Sequence, residues 1–159
     1  MKKSLRRFFC LVGNYMPPKL NCYFYKLAGV KFNISKVWIG NKCYLDTMFP
    51  EQIIINDEVC ISSHVKIITH FDPSKSIKNH KVKKYKKQVV LENGVFIGPG
   101  SVILPGVKLR YNSFIKAGSV IKKSTKENSI IEGNPQKVIG NLSDKVANRI
   151  NLLNKNYNF

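Results

Sequence analysis

A chain of 159 residues with 43% hydrophobic and 23% charged residues fits one folded globular domain, and no apolar run is long enough to span a bilayer. Charge is lopsided: 27 Lys and Arg against 9 Asp and Glu give a formal +18, which favours anionic partners such as nucleic acid, an acidic membrane surface, or a phosphorylated cofactor or glycan. The four cysteines, Cys10, Cys22, Cys43 and Cys60, form no CxxC pair and no dense framework, so neither a zinc ribbon nor a disulfide scaffold is supported and buried reduced thiols are expected.

The chain opens with Lys2, Lys3, Arg6 and Arg7 ahead of Phe8, Phe9, Cys10, Leu11 and Val12. This imitates a signal peptide, but the apolar run is short and no small-residue cleavage site comes after it, so a cytoplasmic protein is expected. Residues 4–12 predict a short amphipathic helix, closed by Gly13-Asn14 and Pro17-Pro18. It is read as a packing helix, with peripheral contact at a membrane surface kept as the alternative. A second helix is predicted over 19–28, with Leu20, Phe24 and Leu27 on one side. Residues 1–35 thus form a helical cap over the exposed edge of the first strands downstream.

From Gly29 the pattern turns to β. Gly40-Asn41 and Pro50 mark breaks, and Asn56-Asp57 suits a corner, which makes Asp57 a turn residue and not a catalytic acid. Ile55, Ile61 and Ile67 are six apart, with Val59 and Val65 four residues after the first two, and Ile39 to Leu45 is another such step. At 72–88 the rhythm stops in a protruding, lysine-rich loop that contains His80 and Tyr85. It then resumes at Leu91, Ile97, Ile103, Leu109, Ile115 and Ile121, with Val95, Ser101, Val107, Ser113 and Ser119 four residues after the first five. A period of six is neither helical nor alternating, and it implies a repeated turn and short strand that stacks into a parallel β-solenoid over 36–140. A closing helix is predicted over 143–153, with Ser143 as N-cap and Val146, Ile150 and Leu153 on one face, inside a C-terminal unit of 141–159.

Three motifs lie in this frame: Ile68-Thr69-His70; Ile97-Gly98-Pro99-Gly100 running into Leu104-Pro105-Gly106-Val107; and Ala117-Gly118-Ser119-Val120 with Gly133-Asn134-Pro135-Gln136-Lys137 beyond it. With the repeat, they make the chain similar to the hexapeptide-repeat acyltransferases, and among these to the galactoside and maltose O-acetyltransferases and enzymes that decorate bacterial surface polysaccharides. The resemblance implies an all-β solenoid, a left-handed parallel β-helix with short N-terminal helices and a C-terminal helix, assembled as a homotrimer. It implies an acetyl-CoA-dependent O-acetyltransferase acting on a sugar or glycan hydroxyl.

Transfer from a thioester asks the protein to remove the hydroxyl proton, hold the reactants together and stabilise the oxyanion. Of three histidines, His70 ends a regular coil just before the loop and matches the Thr-His motif, which implies the catalytic base. His64 falls at a repeat corner, and either Asp72 or a backbone carbonyl is expected to orient the His70 ring. The resemblance runs the coenzyme's arm along Gly98, Pro99 and Ala117, with Lys122, Lys123 and Lys137 near the nucleotide. Corner geometry and solvent exposure are the plain alternatives for these glycines and lysines. Proline at 99 cannot donate a backbone hydrogen bond, so any donor role there passes to Gly100. Glu132 and Gln136 replace residues usually small in the family, and Arg110 and Lys116 stand where Gly is commoner.

Three other readings compete. The same site would serve an amino sugar or amino acid acceptor. A three-histidine zinc hydratase on this fold would need His64, His70 and His80 to converge, and their spacing does not match. A non-catalytic solenoid binding polyanions is the third, although only Tyr85 is interleaved with the basic loop, so nucleic acid is not an expected partner.

Overall fold

The structure, a computed structural model, describes residues 2–79 and 82–143. Two helices, α1 (Lys3–Tyr15) and α2 (Leu20–Ala28), lead into stacked coils. The first coil carries β1 (Trp38–Ile39), β2 (Tyr44–Leu45) and β3 (Ile53–Ile55), and the second begins with β4 (Cys60–Ile61) and β5 (Lys66–Ile67). An excursion comes next, made of β6 (His70–Phe71), α3 (Lys75–Asn79) and β7 (Tyr85–Lys86), before β8 (Val89–Leu91) closes the coil. Then come β9 (Phe96–Ile97), β10 (Val102–Ile103), β11 (Lys108–Leu109), β12 (Phe114–Ile115), β13 (Val120–Ile121), β14 (Ser129–Glu132) and β15 (Lys137–Asn141).

Apart from β6 and β7, which pair with each other, pairing sorts these strands into three ladders. The orders are β1-β4-β9-β12-β14-β15, β2-β5-β10-β13 and β3-β8-β11, and every pair is parallel except β14 with β15. The chain visits the three faces in turn, so it winds as a three-sided parallel β-solenoid. Each short strand finds its backbone partners only in the coils above and below, as in Phe96 N–H to the Ser113 carbonyl and Val102 N–H to the Ser119 carbonyl.

Strict six-fold spacing produces the core. Ile39, Leu45, Ile61, Ile67, Leu91, Ile97, Ile103, Leu109, Ile115 and Ile121 all point inward and are fully buried. The small residues four positions on sit buried at the corners, where the Ser101 and Ser119 hydroxyls both donate to the Lys116 carbonyl. Three residues after an inward aliphatic the backbone takes positive φ, at Glu58, His64, Gly94, Gly100, Gly106, Asn112 and Gly118. This is the left-handed corner that Gly and Asn occupy at least cost. His64 thus serves a corner, and so does Asp57, which pairs with Lys36 at 2.9 Å.

Three sequence expectations need correction. Helix α1 does not stop at Gly13-Asn14 but runs to Tyr15, because Gly13 is where α2 comes close: a Cβ there would sit 2.9 Å from the Tyr25 ring. On α2 the buried side is Asn21, Cys22, Tyr25 and Ala28, while Leu20 and Leu27 face out. At the other end, Lys137 opens a strand, β15, that turns back antiparallel and covers β14. The predicted helix over 143–153 lies, beyond its first position, outside the described residues, as does His80.

Candidate active site

Each coil turns three times, and the site is built on the corner that comes after the β2-β5-β10-β13 face. Asp46 directly follows β2, and Thr69 and His70 follow β5 one coil later, so stacking brings them together although they are more than twenty residues apart in sequence. The Asp46 side chain is fully buried; that of His70 is 24% exposed. His70 Nδ1 lies 2.5 Å from Asp46 Oδ2. The same oxygen accepts from the Thr69 N–H at 2.9 Å and the Thr69 hydroxyl at 2.7 Å, and Oδ1 accepts from the Met48 N–H at 2.9 Å.

Burial alone would raise the Asp46 pKa. The Thr69 hydroxyl, the His70 ring and the Thr69 and Met48 N–H groups outweigh that and hold it below the ordinary carboxylate value. An ionised carboxylate only accepts, so Nδ1 carries a proton, and in the neutral imidazole Nε2 is the nitrogen that holds the lone pair. Asp46 is therefore the group that orients His70, in place of the expected Asp72 or a backbone carbonyl.

The N-terminal helices hold Asp46 in place. Asn14 Oδ1 accepts from the Leu45 N–H at 3.1 Å and from the Tyr25 hydroxyl at 3.1 Å, and the Cys10 thiol donates to the Leu45 carbonyl at 3.3 Å. Asn21 Nδ2 donates to the Ile39 and Gly40 carbonyls at 3.1 and 3.2 Å. These polar groups satisfy the open edge of the first coil, which no further coil would otherwise cover. The Cys10 thiol, desolvated by burial and close to the Asp46 charge, has its pKa pushed up to about 12 and stays protonated.

The lysine-rich excursion folds back over this corner. Strands β6 and β7 pair antiparallel, with His70 opposite Lys86 and Phe71 opposite Tyr85. Phe49 meets the His70 ring edge-on at 5.4 Å between centroids, Lys86 Nζ stands 4.9 Å above the Phe49 ring, and Phe71 lies 5.6 Å from Tyr85. Together they line a pocket of about 410 Å³, open to solvent, with Lys84, Asp72 and Met48 at its walls. A larger cleft, about 810 Å³ between α2 and the β1-β4 face, contains no histidine.

Gly98, Pro99 and Ala117 lie on a different edge of the prism, the corner that comes after β9 and β12. Within one chain the β2-β5-β10-β13 face separates them from His70. Gly98 needs its missing side chain for stacking, since a Cβ would meet the Ala117 nitrogen at 2.5 Å. The Gly100 N–H already donates to the Ser63 carbonyl at 3.1 Å, so it does not supply the donor that Pro99 lacks. Ala117 and Lys137 share a cleft of about 470 Å³ with Lys116, Glu132 and the 133–135 turn. Lys122 and Lys123 lie on the His70 corner two coils away, their backbone N–H groups donating to Gln136 Oε1 at 2.6 and 2.8 Å. The departures at 110, 116 and 132 are ion pairs across coils, Arg110 with Glu92 and Lys116 with Glu132.

Residues 88–123 match the family model described as bacterial transferase hexapeptide (six repeats), so this stretch carries the hexapeptide repeats of that family. It is similar to the galactoside O-acetyltransferase of Lactococcus lactis, 27% identical over 144 residues that cover 88% of this chain and 67% of the relative. To the galactoside O-acetyltransferase of Escherichia coli it is 30% identical, over 70% of this chain and 57% of the relative. The chain thus spans about two thirds or less of the length of these curated relatives. A maltose O-acetyltransferase structure from Clostridium difficile superposes with a TM-score of 0.54 at 27% identity, covering 70% of this chain and 63% of that one. A galactoside acetyltransferase in complex with coenzyme A shares the fold, with a TM-score of 0.62 at 21% identity over 88% of this chain and 80% of the other.

Proposed function

We propose that this protein transfers an acetyl group from acetyl-CoA to a carbohydrate hydroxyl, with His70 Nε2 as the general base. The observation that carries the reading is the His70–Asp46 pair, whose geometry leaves a basic nitrogen facing an open pocket. Nε2 takes the acceptor's hydroxyl proton as its oxygen bonds to the thioester carbonyl carbon; the carbon–sulfur bond then breaks, and the thiolate recovers the proton from Nε2. Asp46 stays ionised throughout and stabilises the transient imidazolium. The likeness to galactoside and maltose O-acetyltransferases supports both the donor and the acceptor class.

The pocket argues for a sugar. Phe49, Phe71 and Tyr85 offer flat apolar faces for the C–H side of a pyranose, and Lys84 and Lys86 suit a glycan or sugar precursor carrying acidic or phosphate groups. A role in surface polysaccharide synthesis, on the cytoplasmic side, fits that chemistry.

The coenzyme's arm is proposed along the second edge, past Gly98, Pro99 and Ala117 with Lys137 beside it, and Lys122 and Lys123, on the His70 corner two coils on, are proposed to reach its phosphates. Since that edge and His70 stand apart in one chain, the reading requires a neighbouring copy to bring its second edge against the first copy's His70. A homotrimer of left-handed coils, the reverse of the ordinary crossover hand, closes three such sites. A thiol-release assay with acetyl-CoA across a panel of sugar acceptors tests the proposal. Acceptor-dependent release by the wild type, lost in His70→Ala, is expected; release at the wild-type rate in His70→Ala would overturn it.

A further inference from the structure

Helix α1 wears its hydropathy inside out. Its buried side is Cys10, Gly13 and Asn14, small or polar, because that side hydrogen-bonds the open edge of β2. Leu5, Phe8, Leu11 and Tyr15, spaced three, three and four apart, form a stripe on the opposite side, where Phe8 is 57%, Leu11 50% and Tyr15 79% exposed. Helix α2 repeats the arrangement, with Asn21, Cys22, Tyr25 and Ala28 buried and Leu20, Tyr23 and Leu27 exposed. Nothing among the described residues covers either stripe. Neither helix needs these residues for its own packing, which Phe9 against Phe24 and Gly13 against Tyr25 already supply.

Charge decides what covers them. Residues 1–45 hold nine Lys and Arg and no Asp or Glu, the first acidic residue being Asp46. Lys2, Lys3 and Arg7 are exposed at the start of α1 and Lys19 just before α2, while the Lys26 ammonium donates to the Phe32 carbonyl. A second copy docking through the same face would set two such clusters against each other. A surface both apolar and negative matches both features at once, and a bilayer containing anionic lipid is such a surface. We propose that the outer face of α1 and α2 binds an anionic membrane surface, the apolar side chains entering the headgroup region and the basic residues meeting lipid phosphates. The helices lie in the interface and do not cross it, since none among the described residues is long and apolar enough to span a bilayer.

Flotation of the full-length protein with vesicles of phosphatidylcholine, alone or with one third phosphatidylglycerol, tests this. The wild type should float with the anionic vesicles, float with the neutral ones at least about tenfold less, and be released by high salt. Phe8→Ser with Leu11→Ser, and separately Lys3→Gln with Arg7→Gln, should each lower the bound fraction at limiting lipid by about tenfold or more, with unchanged thermal unfolding. The two vesicle types also separate a bilayer from free phosphate: inorganic phosphate at millimolar level should not compete. Equal flotation with both vesicle types, no flotation, or binding unmoved by the Phe8 and Leu11 changes would overturn the proposal. So would a mass in solution that falls in that variant, because the stripe would then be an interface between copies. None of these readouts depends on acetyl transfer, so they stand or fall apart from the proposed reaction.

Discussion

The coils and the helical cap use hydrophobic residues in opposite ways. In the coils every sixth residue is aliphatic and fully buried, and residues such as Lys66 and Lys108 point out. In the cap the buried side chains include Asn14, Asn21 and the Tyr25 hydroxyl, and the aliphatic and aromatic stripes face solvent. The cause is the surface each region packs on. A coil's interior meets other aliphatic rows, whereas the cap meets the edge of a β-ladder, whose free N–H and C=O groups must be satisfied before they are buried. Hydrophobic periodicity therefore reports burial only where the buried partner is itself apolar.

The largest expected effect falls where the regions meet, at the corner that the cap holds through Asn14 and Cys10. His70→Ala should lower kcat by roughly 10²- to 10⁴-fold, the range for a lost general base, while stability falls by only about 1.5 kcal/mol, for the one charge-assisted bond that the buried Asp46 loses. Steady-state kinetics with acetyl-CoA and the best acceptor, alongside thermal unfolding, check both halves. Ile97→Ala should do the reverse. Removing most of a fully buried inward side chain should cost about 2–5 kcal/mol in denaturant unfolding. Values below about 1 kcal/mol would mean that the coil interior is loosely filled, and the contrast with the cap would fail.

Asp46→Asn separates orientation from fold at the same corner. An amide in place of the carboxylate loses charge-assisted bonds from Thr69 and His70 and should cost about 2 kcal/mol at neutral pH. Because the folded Asp46 titrates below its ordinary value, its contribution is fully present above about pH 4 and is lost as pH falls through the folded pKa. The gap between wild type and variant should thus be present at neutral pH and close as the pH falls through the folded Asp46 value. A gap that persisted in acid would show that the carboxylate's charge was not its source. In activity the variant should lose kcat more than it raises KM, since a ring free to present either nitrogen remains in the pocket.

The solenoid was legible because its rule is local: an aliphatic every sixth residue, with a small residue four positions on, can be counted without knowing the fold. His70 was legible by its motif and its place before the excursion. Asp46 was not. It stacks beneath Thr69 only because Leu45 and Ile67 end paired strands, and the corner of 46–52 is longer than a regular corner such as 98–101, so the six-fold count breaks between Leu45 and Ile53 where the acid sits. Registering the two interrupted blocks strand by strand would have placed it. The cap's inward face was not legible for a different reason: spacing shows that Leu20 and Leu27 share a side of α2 but not which side meets the protein. Strand β15 escaped because its five residues include Gly140 and Asn141 and carry no alternation.

The smallest expected effects come from one helix and decide whether coil and cap obey different rules. Phe8→Ser removes a large aromatic side chain from α1 and should change unfolding free energy by less than about 1 kcal/mol, as for an exposed position whose ring contact is the edge of its neighbour Phe9. Asn14→Leu adds apolar surface to the same helix and should cost about 1–3 kcal/mol, because the Leu45 N–H loses its acceptor inside the fold and the Tyr25 hydroxyl keeps only the Cys43 carbonyl. Conventional hydropathy predicts the opposite order, with Phe8→Ser harmful and Asn14→Leu mild. Urea denaturation of the two variants in the absence of lipid distinguishes the alternatives. If Phe8→Ser proves the more damaging, the aromatic stripe is packing material after all, and the cap obeys the same rule as the coils.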